Sequence, residues 1–283
     1  MEFSRGDAIV MKPVEYRASA ATKLGLLLSL LPKDPDEFRD RLHNFFEARY
    51  DRLRFRPARR PKIGFDELIR LLNRSFNWDV SGALREKALE HLESYLTSLA
   101  VSVCAIGPFA ASHNGDLDLA RFCYAVCRVL SPKVVMETGV AYGITTCFVL
   151  QALCENKQGS LLSLDLPPLA PDADLFTGLF VPQDLRRIWT LQRGASRRHL
   201  PRLLERLGGI DLFIHDSLHT YANMTWEFQA AWPYLRPGGV LISDDVGDHS
   251  AFSDFASKVE SSISAIVGEK SKSATFGVLV KAK

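Results

Sequence analysis

Apolar and polar positions follow two rhythms along this chain. Up to about residue 105 the apolar residues recur at helical spacing. Residues 18–31 read as one helix, stopped by Pro32. A second begins near Asp36, whose carboxylate is placed to cap it, and carries Phe38, Leu42, Phe45, Phe46 and Tyr50. Further helices are expected over 65–76 and 84–99, and no convincing strand is present in this region. From Asp116 the texture changes to helical stretches alternating with short apolar runs. Helices are expected over 116–130, 144–155, 196–207, 219–235 and from about Ser250. Strands are expected over 134–137, 161–164, 188–192, 210–215, 240–243, 263–267 and 275–281. The alternation predicts an α/β fold with a doubly wound, seven-stranded, mostly parallel sheet. Residues 1–105 would be a helical N-terminal extension (a cap, a lid or a dimerisation element), and 106–283 the sheet domain.

Composition narrows the function classes. The 283 residues are 47% hydrophobic and 24% charged, ordinary for a globular protein, and a net charge of +2 argues for neither nucleic acid nor membrane binding. The apolar run 24–31 is too short to cross a bilayer. As a signal peptide it fails as well, being preceded by Lys23 and followed by Pro32-Lys33-Asp34. The five cysteines have no CxxC spacing, and Cys123 and Cys127, one helical turn apart, read as small buried side chains. A reducing, cytoplasmic setting is the expectation. The basic stretch 52–62, with an aromatic and two prolines, could contact phosphate or an acidic substrate; a solvated linker is favoured.

The chain is organised around 134–150, VVMETGVAYGITTCFVL. It reads as a buried strand, a glycine turn at Gly139 and Gly143, and the start of a helix whose unpaired N–H groups suit an anionic group. Polar residues close the strands on this side: Glu137-Thr138-Gly139, Asp165, Asp216 and Asp244-Asp245. Asp165 is placed either to bond ribose hydroxyls or to cap the turn before Pro167. The turn G-V-A-Y-G lacks the G-x-G-x-x-G pattern that lets a backbone approach a pyrophosphate, which argues against a dehydrogenase. A cofactor without a diphosphate, carrying a carboxylate and an amine, fits better.

Asp216, Asp244 and Asp245 at neighbouring strand ends make an oxygen-rich site suited to a hard divalent cation, with Mg²⁺ the physiological choice. Unpaired, they would raise one another's pKa. His219, expected at the start of the next helix and largely neutral at pH 7 by its reference pKa, is the candidate base for a substrate hydroxyl. His215 points the other way along its strand and is read as structural.

The motifs E-T-G-V-A-Y-G-I-T-T (137–146), S-L-D-L-P-P (163–168), V-P-Q-D-L-R-R-I-W (181–189), G-A-S-R-R-H-L-P (194–201), H-D-S-L-H-T-Y (215–221) and R-P-G-G-V-L-I-S-D-D-V (236–246) resemble those of class I S-adenosylmethionine-dependent methyltransferases. Within that class the chain is similar to the metal-dependent macrolide and sugar O-methyltransferases (methyltransferase family 24 type), which implies their Rossmann-like fold from Asp116 onward. The resemblance implies cofactor binding by Glu137, Gly139, Tyr142, Gly143, Thr145, Asp165, Leu166, Ser196 and Asp216. Thr145 would hold the methionine carboxylate, Asp165 the ribose, and Leu166 and Ser196 the adenine. The chain departs from the pattern at Ala195, where the family often has an acid, and at Ala141-Tyr142. The expected activity is methylation of a small-molecule hydroxyl, a sugar favoured over a phenol or catechol, and the helical extension is compatible with a homo-oligomer. The alternatives are a protein of the cephalosporin hydroxylase–methyltransferase group and a non-catalytic cofactor-binding scaffold. The segment 167–182 is read as either a lid over the cofactor or a packed surface loop.

Overall fold

The computed structural model describes residues 18–54, 61–103, 107–109, 117–268 and 275–283. The expected domain boundary at 105/106, Cys104, Asp116 and most of the basic stretch 52–62 lie outside them. Among the described residues five helices come first: α1 (Ala20–Lys33), α2 (Pro35–Arg54), α3 (Phe65–Phe76), α4 (Val80–Ala83) and α5 (Lys87–Val103), with a two-residue strand β1 (Ile63–Gly64) before α3. There follow α6 (Leu117–Leu130), β2 (Val134–Thr138), α7 (Ile144–Asn156), β3 (Ser160–Asp165), α8 (Ala173–Phe176), β4 (Trp189–Arg193) and α9 (Ser196–Leu207). The chain closes with β5 (Ile210–His215), α10 (Tyr221–Ala231), β6 (Leu235–Ser243), α11 (Ala251–Ala256), β7 (Ser261–Gly268) and β8 (Thr275–Lys281).

The sheet has eight strands in the order β1-β7-β8-β6-β5-β2-β3-β4, parallel throughout except for β8, which runs against β6 and β7. Seven strands were expected. The eighth, β1, is too short to leave a periodic signal and pairs only with Val267 and Gly268 of β7. The sheet is otherwise as expected: α/β, doubly wound and mostly parallel.

Its strands are buried on both faces because their side chains alternate between two cores. Val135, Leu212, Ile214, Val240, Ile242, Val278 and Val280 pack with α3 to α7. Met136, Phe213, Leu241 and Leu279 pack with α9, α10 and α11 on the other face. Helices α3 to α5 therefore share a core with the sheet; Phe65 of α3 meets Phe122 of α6 and Phe276 of β8 in one aromatic cluster.

Several helix ends differ from expectation, each for a local reason. α1 runs through Pro32, whose missing N–H costs one bond near the helix end. Asp34 rather than Asp36 caps α2, its Oδ1 accepting from Glu37 N–H at 2.8 Å, while Asp36 pairs with Arg39 in the first turn. Of residues 84–99 only 87–99 are helical, within α5; residues 84–86 form the turn after the short α4, which Asp79 caps separately. His219 precedes α10 instead of starting it: Thr220 is the cap, accepting from Asn223 N–H at 3.2 Å. That helix stops at Ala231, a 3₁₀ turn over Trp232–Tyr234 follows, and Leu235 already belongs to β6. No helix among the described residues is long and apolar enough to cross a membrane.

The shared core predicts that Phe122→Ala costs about 3–5 kcal/mol in urea unfolding. The loss should appear as one transition displaced as a whole, because Phe122 is fully buried between α3 and β8. A second, separate transition for the N-terminal helices would contradict the shared core.

Candidate functional site

Five strands, β2 to β6, end at one cleft, and the main chain beyond them keeps the sheet's register. Gly139 N–H donates to Leu164 O at 2.8 Å, Gly194 N–H to Asp165 O at 2.8 Å, Asp216 N–H to Thr138 O at 2.7 Å and Asp244 N–H to His215 O at 2.9 Å. Each residue just past a strand is thus tied to the strand beside it. Gly139 is required here: its φ is +86°, and a Cβ would sit 1.8 Å from Asp216 O. The cleft above has a volume of about 730 Å³.

Of the expected cofactor residues, Gly139, Asp165, Leu166, Ser196 and Asp216 line this cleft, as do His219, Asp244 and Asp245. Asp165 Oδ2 accepts from Ala141 N–H at 3.1 Å and so braces the glycine turn. Burial pushes its carboxyl up to about 6 against the backbone hydrogen bonds that pull it down. Glu137, Tyr142, Gly143 and Thr145 do not line the cleft. Glu137 is fully buried and accepts from Ser163 Oγ–H at 2.6 Å and Thr146 Oγ1–H at 2.9 Å. Burial pushes its pKa up to about 7, with those hydrogen bonds offsetting only part of the effect. Tyr142 is enclosed by Phe109 and Phe180, with ring centroids 5.0 and 5.2 Å away. Gly143, at φ +90°, turns the chain into α7, and Thr145 lies in that helix's first turn with an Oγ1 that makes no hydrogen bond among the described residues. The segment 167–182 is packed: Phe176 and Phe180 are buried, and Gly178 and Phe180 N–H groups bond the carbonyls of Ala141 and Tyr142.

The acidic cluster is tighter than strand spacing alone implies. Asp216, His219 and Asp244 each offer one ligand atom, and the three atoms lie within 4.8 Å of one another. Asp245, held at φ 49° in the left-handed region, instead places Oδ2 3.2 Å from His219 Nδ1. Burial and the neighbouring Asp244 push the Asp216 carboxyl well up; burial and Asp245 push Asp244 up too. For His219, burial would lower the pKa. The Asp245 hydrogen bond and the charges of Asp244 and Asp216 outweigh it and raise the imidazole to about 9. Without a cation His219 is therefore charged at neutral pH, unlike the neutral imidazole expected from its reference value. The donor set fits a divalent ion: two buried polar atoms, His219 Nε2 and Asp244 Oδ1, make no hydrogen bond among the described residues.

The roof of the cleft comes from α2, which the sequence did not reveal as part of the site. Asn44, Ala48, Asp51 and Arg52 line the cavity. An inward stripe of polar residues pins the helix. Glu37 pairs with Arg193, Asp40 with Arg198 at 3.0 Å and Glu47 with Arg197 at 2.7 Å; Asp51 Oδ1 accepts from Tyr221 N–H at 2.9 Å. The available signal was the spacing of Asp40, Asn44, Glu47 and Asp51, one polar face at helical period. Arg52, expected in a linker, belongs to this roof.

Residues 136–246 match a sequence profile described as a methyltransferase domain. The centre of this chain thus resembles a methyltransferase domain. The matched stretch takes in most of β2, all of β3 to β6, and Asp165, Asp216, Asp244 and Asp245. No curated protein matches the chain by sequence. Among solved structures, the domain and its flanks are similar to the O-methyltransferase TomG of Streptomyces achromogenes, involved in tomaymycin synthesis and solved with S-adenosylmethionine. That match has 13% identity, covers 77% of this chain and 96% of TomG, and gives a TM-score of 0.52. Cofactor-bound Rv0187 from MTB matches at 16% identity over 79% of this chain and 100% of its own, with a TM-score of 0.50. At such identities the likeness speaks for the fold.

Folding raises the His219 pKa from 6.5 to about 9, so its contribution to stability is complete below pH 6.5 and is lost as pH rises through 9. The melting temperature of the cation-free protein should fall across that window, and Mg²⁺ added at pH 9 should restore it. In His219→Ala this part of the profile should flatten. An unchanged profile would remove His219 as its cause.

Proposed function

We propose that the chain is an S-adenosylmethionine-dependent O-methyltransferase acting on a small-molecule hydroxyl, with a divalent cation, Mg²⁺, at the Asp216–Asp244 floor. The observation that carries this reading is the convergence of Asp216, His219 and Asp244 beside the Gly139 turn and Asp165 in one cleft. The cleft volume is in the range of small-ligand sites. The profile match over 136–246 and the cofactors bound by the similar structures support the same reading.

When bound, the cation would act as a Lewis acid that lowers the pKa of the acceptor hydroxyl. The remaining work falls to the chain's own residues. Asp165 and Ser196 would hold the ribose and adenine side, and the Gly139 turn the amino-acid side. Asp245 would take the His219 Nδ1–H and fix the ring, leaving Nε2 to accept the hydroxyl proton. Neutralising Asp216 and Asp244 brings the imidazole pKa back down, which a base at neutral pH requires. Asn44, Asp51, Arg52 and α2 as a whole would close the acceptor side and exclude water.

A sugar hydroxyl remains favoured over a phenol. Phe109 is the one Phe, Tyr or Trp lining the cleft among the described residues, while Asn44, Asp51, Arg52 and Asp248 supply hydrogen-bonding groups. A second reading has His219 as a third ligand to the cation, favoured by its place in the three-residue cluster.

Calorimetric titration with S-adenosylhomocysteine, with Mg²⁺ and again with EDTA, tests the core of this proposal. Micromolar binding is expected. Absence of binding in both buffers would refute the cofactor reading, whereas binding without transfer to any acceptor would leave a non-catalytic cofactor-binding scaffold. In an acceptor screen starting with glycosides, Asp216→Ala and Asp244→Ala should abolish transfer, and turnover in excess EDTA would refute the cation. His219→Ala should lose about 10²–10⁴ in turnover if His219 is the base. Loss of Mg²⁺ affinity in the same variant would instead make it a ligand.

A further inference from the structure

A carboxylate that the proposed chemistry does not use lies behind the cleft floor. Glu227, on α10, is fully buried. Its Oε2 accepts from Thr138 Oγ1–H at 2.6 Å and lies 2.7 Å from His215 Nδ1. Its Oε1 accepts from Ser217 Oγ–H at 2.8 Å and from Asn223 Nδ2–H at 3.1 Å. These partners are not scattered. Thr138 is the last residue of β2 and immediately precedes Gly139. His215 and Ser217 flank Asp216 on either side. Asn223 also donates to Leu218 O at 3.1 Å, the carbonyl just before His219.

A buried carboxylate is a costly way to fill space, and an apolar side chain of similar volume would pack there at less expense. What an apolar residue cannot do is accept hydrogen bonds from Thr138, His215, Ser217 and Asn223 at once. We infer that Glu227 is a positioning residue: by gripping His215, Ser217 and Asn223 it holds Asp216 and His219 in their converging arrangement and ties them to the Gly139 turn. The inference rests on reading the Asp216–His219–Asp244 cluster as a cation site. Substitution by Gln keeps the shape but replaces one acceptor oxygen with an NH₂. If that NH₂ faces Ser217 and Asn223, the Asn223 amide loses its acceptor. If it faces Thr138 and His215, His215 Nδ1 must give up its proton to accept. In the first case a grip is lost; in the second it persists only as a neutral hydrogen bond to the other His215 tautomer, weaker than one to a carboxylate.

The test uses the full chain and Mn²⁺ as the probe, its affinity measured by electron paramagnetic resonance of the free ion. Wild type, Glu227→Gln and Ser217→Ala are compared, each with a thermal melt, and Asp216→Ala is the ligand-deletion control. Glu227→Gln is expected to melt cooperatively and to bind Mn²⁺ about 10–100-fold more weakly, the usual effect of losing an outer partner of a ligand. Ser217→Ala, which releases one grip and leaves the carboxylate in place, should shift affinity the same way by less. Wild-type Mn²⁺ affinity in both variants would overturn the inference and make Glu227 a packing residue. Should Glu227→Gln fail to fold, Ser217→Ala decides alone, and unchanged affinity there overturns it. Failure of the underlying reading has a different signature. The wild type itself would then bind no Mn²⁺, or only Mn²⁺ that survives Asp216→Ala, and the inference would fall with the site.

Discussion

The mutual repulsion of carboxylates at neighbouring strand ends is the constraint on which the rest of the site depends. Parallel strands all deliver their last residues to one edge, so acids placed there are crowded together by the topology itself. Asp216 and Asp244 cannot both be ionised at low cost while buried side by side, and Asp245 adds a third charge within reach. The fold's own answer is a protonated His219 among them. A divalent cation is a stronger answer, and it would free the imidazole for other work. With the proposed cation bound, the cluster would have a second electrostatic state beside the one held by a proton.

Geometry at this edge is maintained mostly by the backbone. The hydrogen bonds that carry Gly139, Gly194, Asp216 and Asp244 past their strands continue the ladder of the sheet. Side chains then fix the finer positions. Asp165 braces the glycine turn, and the buried Glu227 gathers the segments on either side of Asp216. For Glu227, burial alone would raise the pKa, but the His215 imidazole and the hydrogen bonds from His215, Ser196 and Thr138 bring it to about 2. It is therefore an anion throughout the working range, and its neighbours can orient on a constant charge.

Much of this was legible in the sequence because the sheet's signals are local. β5, β8, α3 and α9 appear where apolar periodicity put them, and the acids that end the strands could be recognised from position alone. What escaped depends on contacts between distant segments. β1 is two residues long and exists through its pairing with β7. The α10 boundary moved because Thr220, one residue beyond His219, has the side chain that caps. The charge of His219 could not be read from a reference pKa, since its shift comes from three aspartates on two separate loops. The role of α2 was hidden for the opposite reason. Its polar stripe has the texture of a solvated face, yet it is the inward one, while Phe45, Phe46 and Leu53 point outward.

That inverted helix divides the cleft into two parts with different histories open to them. The floor is fixed by the register of a parallel sheet and by buried hydrogen bonds, so few substitutions there leave it intact. The roof is held by ion pairs between long side chains, which tolerate exchange and displacement far better than packed apolar contacts do. Substitutions in a single helix can therefore change what the cleft admits while leaving the floor beneath it in place.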